Sequence, residues 1–241
     1  MFRLEHDGAA ARLTLDRPQA RNAIPSGQWS LLAARLAQAE DADARLLVLA
    51  GAGGAFCAGA DLSDFAALQA DAPARARFRA EMRGALDRLR ALPMPTLAAI
   101  DGPCYGAGVA LAIACDLRIA GPSARFAITP ARLGISYPQE DVHRLVELVG
   151  PGQAARLLFT ALPIDGAEAA RIGLVELHAP DGGDATVEAM LGNSAASLAT
   201  LKRAIRLAAD GRRSDAGQDR CFDELFGGAE LARRLEASRR K

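Results

Sequence analysis

The sequence predicts an α/β fold, and three observations support this prediction. Short apolar runs typical of buried strands, at 46–50 and 96–100, alternate with longer stretches of helical periodicity. The length of 241 residues suits one globular core with a small appendage. Beyond a polar linker at 181–184 the pattern is purely helical. We therefore expect a core domain at 1–180 and a helical C-terminal region at 181–241.

The first predicted elements are a β-hairpin and a helix. Residues 2–6 and 11–15 flank Asp7-Gly8, a dipeptide that favours a tight turn between two strands. Ser26 is a predicted N-cap for a helix that extends to about residue 39, because its hydroxyl can accept from a free backbone N–H of the first turn.

The later elements follow from apolar runs and from the residues that begin and end helices. Pro73 begins a long helix and Pro93 ends it. Asp165 caps a later helix, which Gly173 closes. The predicted strands lie at 46–50, 96–100, 117–120, 125–128 and 175–178. The predicted helices lie at 74–92, 108–115, 142–149, 152–159 and 166–172, with a loop or short helix at 62–70.

The composition argues against several classes of partner. The chain has 29 basic and 29 acidic residues, so its formal net charge of +0 indicates no basic surface for nucleic acid. The N-terminal segment is charged and lacks the apolar region of a signal peptide, so we expect a cytoplasmic protein. The longest apolar run, 109–114, is far too short to span a bilayer, and we expect no membrane partner.

The cysteines and histidines do not form a metal-ligand pattern. None of the four cysteines stands in a Cys-x-x-Cys pair, and the three histidines are scattered. We therefore expect no metal site. The cysteines are expected to be small buried packing residues, although Cys57 and Cys104 lie close in sequence to two glycine-marked turns.

These two turns, at 51–62 and 101–108, carry most of the functional information. Each follows a predicted strand, and two such units can direct two backbone N–H groups at one point. That arrangement is an oxyanion hole, which stabilises negative charge developing on a carbonyl oxygen. The buried helix predicted from Gly108 adds its N-terminal dipole to the same point. A phosphate-binding P-loop is excluded because neither turn has the required lysine.

Three motifs in these segments resemble the crotonase (enoyl-CoA hydratase/isomerase) superfamily. The stretch 56–62, Phe-Cys-Ala-Gly-Ala-Asp-Leu, is similar to its first oxyanion motif. The stretch 15–23, Leu-Asp-Arg-Pro-Gln-Ala-Arg-Asn-Ala, resembles its N-terminal signature. Gly106-Ala-Gly108, followed by an apolar stretch to Cys115-Asp116, resembles its second oxyanion turn.

The resemblance implies a crotonase-like spiral of β-β-α turns with a helical C-terminal appendage, usually assembled as a homotrimer or a dimer of trimers. It also implies an acyl-CoA substrate and no cofactor beyond the CoA moiety of that substrate. The implied oxyanion donors are the backbone N–H groups of Ala60 and Ala107. The implied CoA contacts are Ala20, Arg21, Ala58, Gly59, Asp61, Leu62 and Lys202. Arg21 as a solvated loop residue and Lys202 as an ordinary exposed lysine remain open alternatives.

The chain departs from the hydratases of this superfamily at both catalytic glutamates. The matching positions hold Ala110 and Pro130, and neither side chain can transfer a proton. The addition of water to a double bond therefore lacks its usual acid and base.

The segment 126–145 instead partly resembles methylmalonyl-CoA decarboxylases, with Thr129, Tyr137 and His143 at matching spacing. Loss of CO2 forms an enolate without a base, so it needs an oxyanion hole and groups that orient the carboxylate. The resemblance makes Thr129 and Tyr137 the candidate orienting hydroxyls, and makes decarboxylation of a short malonyl-type CoA the leading expectation. Ala60 departs from this branch, which has histidine there.

Several alternatives stay open. Thr129 can be a strand-end residue, Tyr137 can cap the turn before Pro138, and His143 can be structural. Glu140 or Asp141 could restore proton transfer, which keeps hydratase, dehydratase or isomerase chemistry possible, although Asp141 also suits a helix N-cap. A CoA-thioester binding protein without turnover is the third possibility, because both glutamates are missing.

Overall fold

The computed structural model describes residues 1–42 and 44–239. The last two residues of the predicted C-terminal region, and Asp43, lie outside the described residues. Within that part the strands are β1 (Phe2–Asp7), β2 (Ala10–Leu15), β3 (Leu46–Gly51), β4 (Thr96–Ile100), β5 (Pro103–Tyr105), β6 (Leu117–Ala120), β7 (Arg125–Ala127), β8 (Ile164–Asp165) and β9 (Leu177–His178). The α-helices are α1 (Trp29–Asp41), α2 (Phe65–Ala70), α3 (Ala72–Ala91), α4 (Ala107–Ala114), α5 (Gln139–Thr160), α6 (Gly166–Arg171), α7 (Asp184–Gly192), α8 (Ala195–Ala209), α9 (Ala216–Phe226) and α10 (Ala229–Arg239).

The strands form two sheets. The larger sheet has the order β1-β2-β3-β4-β6-β9, and all its pairs are parallel except the β1-β2 hairpin. The smaller sheet has the order β5-β7-β8, with β5 and β7 parallel. The chain alternates between the sheets: β4 then β5 then α4, followed by β6 then β7 then α5. The result is a spiral in which each turn places one strand in each sheet and then a helix.

The core lies between the sheets and the helices that follow them. Every residue of α4 from Gly108 to Ala114 is buried, so this helix has no solvent-facing side. Trp29, Phe56 and Phe126 are among the largest fully buried side chains of the core. The helix that begins at the second glycine-marked turn is therefore part of the buried core.

Most predicted elements are confirmed, and the differences have identifiable causes. The side chain of Ser26 makes no cap, because a 3-10 turn at Ser26–Gln28 precedes α1. The two helices predicted around Gly150 form one kinked segment, α5, in which Gly150 has φ 74°. The short strands β5 and β8 were not predicted, because two or three residues carry too little periodicity to be recognised.

In the described ranges, four helices follow the polar linker. Hydrogen bonds of individual side chains help to connect these helices to the core and to each other. The guanidinium of Arg45, just before β3, donates to the carbonyls of Leu191 and Asn193 at 3.1 Å and 2.6 Å. Ser194 donates to Glu230 at 2.7 Å and so ties α10 to the start of α8. The domain boundary at residue 181 stays a prediction. In the described ranges, no helix combines the length and the apolar character needed to cross a bilayer.

The two glycine-marked turns contact each other backbone to backbone. Cys57 N donates to Pro103 O at 3.0 Å, and Tyr105 N donates to Cys57 O at 2.8 Å, so the first turn pairs with β5. An added Cβ on Gly108 would lie 2.3 Å from Cys57 O, and one on Gly59 would lie 2.8 Å from Tyr105 O. Any side chain at either glycine would push the two turns apart.

We expect Gly108→Ala to destabilise the fold by about 1–3 kcal/mol, because its Cβ overlaps a backbone oxygen that cannot move freely. Helix propensity alone predicts the opposite sign, a gain of ~1 kcal/mol. Gly84→Ala in α3 is the matched control, because a Cβ there meets no atom within 4 Å, and it should stabilise the protein. Denaturant unfolding of both variants checks this, and equal effects would contradict the close-contact explanation.

Candidate active site

The N-terminal signature holds the first turn in place through a buried asparagine. Asn22 is fully buried and has φ 59°, a left-handed conformation that asparagine tolerates well. Its Nδ2 donates to the carbonyls of Ala52 and Ala55 at 2.9 Å and 2.7 Å, and its Oδ1 accepts from Arg17 N at 2.8 Å. One side chain thus satisfies three backbone groups of two loops.

Asp61 forms the second connection between these loops. Its carboxylate pairs with the guanidinium of Arg17, and its Oδ1 accepts from Ser63 N at 3.0 Å. The hydrogen bond from Arg17 is the main reason that the pKa of Asp61 is lowered to about 2. A carboxylate with so low a pKa stays ionised, so Asp61 fixes the turn and does not carry protons.

The two predicted oxyanion donors lie side by side. Both neighbours of Ala60 bond to Ile24: Ile24 N donates to Gly59 O, and Asp61 N donates to Ile24 O. The N–H of Ala60 therefore points away from Ile24. Ala107 is the first residue of α4. Neither N–H has a backbone acceptor within residues 1–42 and 44–239. A Cβ on Gly59 would lie 3.3 Å from Ala107 N, so the peptide that carries the Ala60 N–H lies close to the Ala107 N–H.

The structure brings most of the predicted CoA contacts together around these donors. Ala58 N donates to Arg21 O at 2.9 Å, so the loop with Ala20 and Arg21 lies directly against the first turn. The side chain of Arg21 is exposed, and Leu62 is 57% exposed at the start of a 3-10 turn. Gly59 and Asp61 complete the same surface.

Lys202 is placed elsewhere. Its ammonium is 5% exposed, pairs with Asp116 Oδ2 at 2.7 Å and donates to Met94 O at 2.8 Å. Both partners precede strands β4 and β6, whereas the turns follow the strands at the opposite end of the sheet. The structure therefore gives Lys202 a structural ion pair rather than a ligand-facing surface, and neither the predicted CoA contact nor the alternative of an exposed lysine describes its position.

Thr129 and Tyr137 both lie at Gly106, the residue before the second donor. The Tyr137 hydroxyl donates to Gly106 O at 3.0 Å, and a Cβ on Gly106 would lie 3.6 Å from Thr129 Oγ1. Burial raises the pKa of Tyr137 well above its ordinary value, so the phenol stays protonated. The two hydroxyls that the sequence singled out are thus brought together.

The positions of the two missing glutamates are occupied as the sequence indicates. Ala110 is 1% exposed on α4. Pro130 begins a 3-10 turn, Pro130–Leu133. Neither supplies an ionisable group, so any acid or base must come from another element.

Asp141 supplies a buried carboxyl group close to this point. It is 1% exposed in the first turn of α5, and its charge contributes to the raised pKa of Tyr137. Its Oδ1 accepts from Arg83 at 2.9 Å, while its Oδ2 has no hydrogen-bond partner in the part of the chain that is described. Burial raises the pKa of Asp141 more than Arg83 lowers it.

The sequence alternative that Asp141 caps a helix is wrong. α5 begins two residues earlier, at Gln139, and Pro138 occupies the N-cap position. Glu140 is exposed, and His143 is 67% exposed and pairs with Glu147 at 3.2 Å. Among the ionisable residues that the sequence singled out in this loop, Asp141 is the buried one.

A cleft of ≈ 150 Å³ opens beside Arg83, the ion-pair partner of Asp141. Its walls come from α3 and from the segment that leads into α5, and they consist of Arg79, Ala80, Met82, Arg83, Pro138 and Glu140. Arg83 binds Asp141 directly, and its Nε also pairs with Asp87 at 3.0 Å. The volume equals about five water molecules at ~30 Å³ each.

Sequence reasoning missed two features of the site. Arg83 lies 58 residues from Asp141 and belongs to a helix with many arginines, so no local pattern distinguishes it. The second missed feature is the set of hydrogen bonds by which Asn22 holds the first turn. Asn22 lies inside the N-terminal signature, so the match of that signature to the family was the available signal.

The cysteine prediction is confirmed for Cys57, Cys104 and Cys115, which are buried, and burial raises the pKa of Cys57 to about 12. In the described ranges no three His, Cys, Asp or Glu side chains cluster as metal ligands.

Lys202 is buried in an ion pair and Arg21 is exposed, so substitutions of these two residues should have opposite effects on stability and on CoA-thioester binding. Lys202→Met should lower stability by about 1.5–3 kcal/mol, the value of a hydrogen bond to a charged group, because Asp116 is 30% exposed and keeps its hydrogen bonds from Thr96. The affinity for a CoA thioester should stay unchanged. Arg21→Met should leave the melting temperature unchanged and weaken CoA-thioester binding up to about fivefold, the value of an exposed ion pair. Thermal melts and calorimetry of both variants check this, and weaker binding by stable Lys202→Met protein would restore the CoA role of Lys202.

Comparison with known proteins places this geometry in a family. Residues 5–220 match the family described as enoyl-CoA hydratase/isomerase. A Mycobacterium bovis protein named "Probable enoyl-CoA hydratase echA6" is 42% identical over 153 residues, 64% of this chain and 60% of that protein. The matched segment thus spans about three fifths of that relative. A Mycosarcoma maydis protein named "Enoyl-CoA isomerase/hydratase fer4" is 34% identical over 193 residues, 73% of this chain and 69% of its own.

Solved structures agree over nearly the full length. An enoyl-CoA hydratase/isomerase family protein from Hyphomonas neptunium superimposes with a TM-score of 0.91 at 32% identity, covering 98% of this chain and 93% of its own. Enoyl-CoA hydratase from Bacillus anthracis superimposes with a TM-score of 0.88 at 27% identity, covering 99% of this chain and 96% of its own. The spiral of β-β-α turns with its C-terminal helices is therefore the crotonase fold, and the chain belongs to the enoyl-CoA hydratase/isomerase family.

Proposed function

We propose that this protein is an acyl-CoA enzyme that moves a double bond along the acyl chain, with Asp141 as the proton carrier. The observation that carries the proposal is the buried carboxyl of Asp141, which has a raised pKa and an Oδ2 without a hydrogen-bond partner in the described ranges. Its charge also acts on Tyr137, whose hydroxyl bonds to Gly106 in the second oxyanion turn. Groups with such perturbed pKa values are concentrated at functional sites. This choice takes up the isomerase alternative of the sequence analysis and sets decarboxylation second.

One carboxyl group suits isomerisation better than hydration. In an isomerisation the same group can take a proton from one carbon and return it to another. Water addition in this superfamily uses two glutamates, and both positions, Ala110 and Pro130, lack an ionisable side chain here. A single buried acid therefore favours proton transfer within the substrate.

The proposed reaction conserves every atom of the substrate. Ionised Asp141 removes a proton from C2 of a 3-enoyl thioester, and the electrons of that C–H bond move to the thioester oxygen, which gives a dienolate conjugated with the C3–C4 double bond. The N–H groups of Ala60 and Ala107 stabilise that oxygen, and one such donor is worth roughly 3–4 kcal/mol in other enzymes. Protonated Asp141 then delivers the proton to C4, so the double bond moves to C2–C3 and the product is the 2-enoyl thioester. A raised pKa of Asp141 suits both proton transfers, because its carboxyl group must accept and release a proton near neutral pH.

The assignment of CoA to the surface formed by Ala20, Arg21 and the first turn belongs to the same proposal. Exposed Arg21 can pair with a phosphate, and the acyl chain would extend from the oxyanion donors towards the cleft beside Arg83. The names of the relatives, hydratase for echA6 and isomerase/hydratase for fer4, are consistent with a thioester substrate.

Decarboxylation of a malonyl-type CoA is the second candidate, favoured by the hydroxyls of Thr129 and Tyr137 at Gly106. Two observations count against it. The Tyr137 proton is already donated to Gly106 O, so it is not free to hold a substrate carboxylate. Ionised Asp141 nearby would repel such a carboxylate.

The first test measures products and deuterium exchange with a panel of CoA thioesters. Asp141→Asn should lower isomerisation and exchange at C2 by about 10²–10⁴-fold, the usual contribution of a general acid–base group. Asp87→Asn is the matched control, because it removes the other carboxylate of Arg83 and should retain activity. Loss of the activity in Glu140→Gln but not in Asp141→Asn would reject Asp141. Gain of water, loss of CO2, or binding without turnover in the parent protein would identify the hydratase, decarboxylase or binding-protein alternatives.

The raised pKa of Asp141 gives a second prediction. The base is the ionised form, so kcat/KM should fall as pH drops through a pKa above the ordinary aspartate value of about 3.9. A pKa that is raised in the folded state stabilises the protein at pH values below the pKa of the unfolded state. This stabilisation is lost as the pH rises through the pKa of the folded state. Asp141→Asn should therefore not lower the melting temperature at about pH 7. A clear drop in melting temperature would indicate that Asp141 is a structural partner of Arg83.

We also propose that the chain forms a homo-oligomer, as the resemblance implies. The C-terminal helices carry large exposed apolar side chains, including Ile205 at 70%, Phe222 at 64% and Phe226 at 67%, and the two phenylalanine rings stack at 5.8 Å. Light scattering should give a mass that is a multiple of 25.2 kDa. Ile205→Glu should reduce it, and a stable monomer of the parent protein at micromolar concentration would contradict the proposal.

A further inference from the structure

The hydroxyl of Tyr137 contacts the peptide unit that contains the second oxyanion donor. Its acceptor, Gly106 O at 3.0 Å, is the carbonyl of the Gly106–Ala107 peptide, and the N–H of that peptide is the donor of Ala107. A peptide group is one conjugated unit, so a hydrogen bond to its oxygen draws electron density away from its nitrogen. The same bond that holds the turn therefore makes the Ala107 N–H a stronger donor.

We propose that Tyr137 is a positioning residue that orients and polarises the second donor of the oxyanion hole. This inference rests on the hole of the proposed function but not on the proton transfer by Asp141. It assigns Tyr137 a role that applies to any reaction with an enolate, and it replaces the expected contact with a substrate carboxylate.

The surroundings of Gly106 support this role. Gly106 has φ 51° and ψ −116°, a conformation that needs support from neighbouring groups because few residues adopt it. Its carbonyl also accepts from Val109 N at 2.9 Å and Ala110 N at 3.3 Å. The donors of those two hydrogen bonds belong to α4, so they move together with this helix. Tyr137, from the segment before α5, provides a fixed point outside the helix.

The phenol is also suited to remain a donor. Its ring packs against the main hydrophobic core, which restricts its movement. Burial is the largest cause of its raised pKa, and the charge of Asp141 adds to it, so the hydroxyl proton is retained throughout any practical assay range.

The expected effect on rate is small and specific. A hole donor contributes about 10²–10³ in kcat. If the bond from Tyr137 supplies about 10–30% of that free energy, the range for cooperative strengthening, Tyr137→Phe lowers kcat about 2- to 8-fold with little change in KM.

A spectroscopic readout separates polarisation from simple structural support. Cinnamoyl-CoA is a conjugated thioester whose absorption moves to longer wavelength when its carbonyl oxygen is polarised. The parent protein should shift this band on binding, and Tyr137→Phe should shift it less. Tyr105→Phe is the matched control, because it removes the same hydroxyl from β5 and should keep the full shift.

The chain offers a graded version of this test because it contains only two tyrosines. Growth of the Tyr105→Phe variant on 3-fluorotyrosine labels Tyr137 alone and makes its hydroxyl a stronger donor, so the shift should increase. This variant keeps the ring and the hydrogen bond, and so it tests the inference even if Tyr137→Phe folds poorly.

The outcomes separate this inference from the proposed function. An unchanged shift in well-folded Tyr137→Phe, or no increase with 3-fluorotyrosine, overturns the polarising role even if kcat falls. The shift should persist in Asp141→Asn, because binding needs no proton transfer. A parent protein that binds cinnamoyl-CoA without any shift would reject the oxyanion hole itself, and this inference with it.

Discussion

The site depends on one steric constraint, the backbone-to-backbone contact of the two glycine-marked turns. Gly108 lies against Cys57 O, and Gly59 lies against Tyr105 O, at distances that leave no room for a Cβ. This contact sets the separation of the two free N–H groups, one from each turn. Two donors on flexible loops would lose the preorganisation that makes an oxyanion hole effective.

Polar contacts from outside hold each turn. Asn22 and Arg17 fix the first turn from the N-terminal loop, and Tyr137 fixes the second from the segment before α5. Each supporting side chain has a further contact, since Arg17 also donates to Ala23 O at 3.0 Å and Tyr137 packs against the core. Residues from two other segments therefore support the two turns.

The buried charges differ in what they do for the fold. Lys202 and Asp116 compensate each other at the far end of the sheet, and Thr96 gives Asp116 further hydrogen bonds. Asp141 is less completely compensated, since one oxygen has no hydrogen-bond partner within the described ranges and its pKa is raised. A carboxyl group that costs stability in its ionised form is what a proton carrier requires, and this difference in environment distinguishes a catalytic candidate from a structural ion pair.

The sequence by itself determined the α/β class, most strands and helices, and the two turns with Ala60 and Ala107. These are local properties, because the periodicity of apolar residues and the placement of glycine act over a few neighbouring residues. The motifs at 15–23 and 56–62 also predicted the surface formed by Arg21 and Asp61. Only the tertiary structure decided the burial and the partners of the ionisable groups. It paired Asp141 with Arg83 over 58 residues, buried Lys202 against Asp116, and directed the Tyr137 hydroxyl to Gly106. Burial and long-range pairing set the protonation of a side chain, and neither quantity exists until the chain has folded.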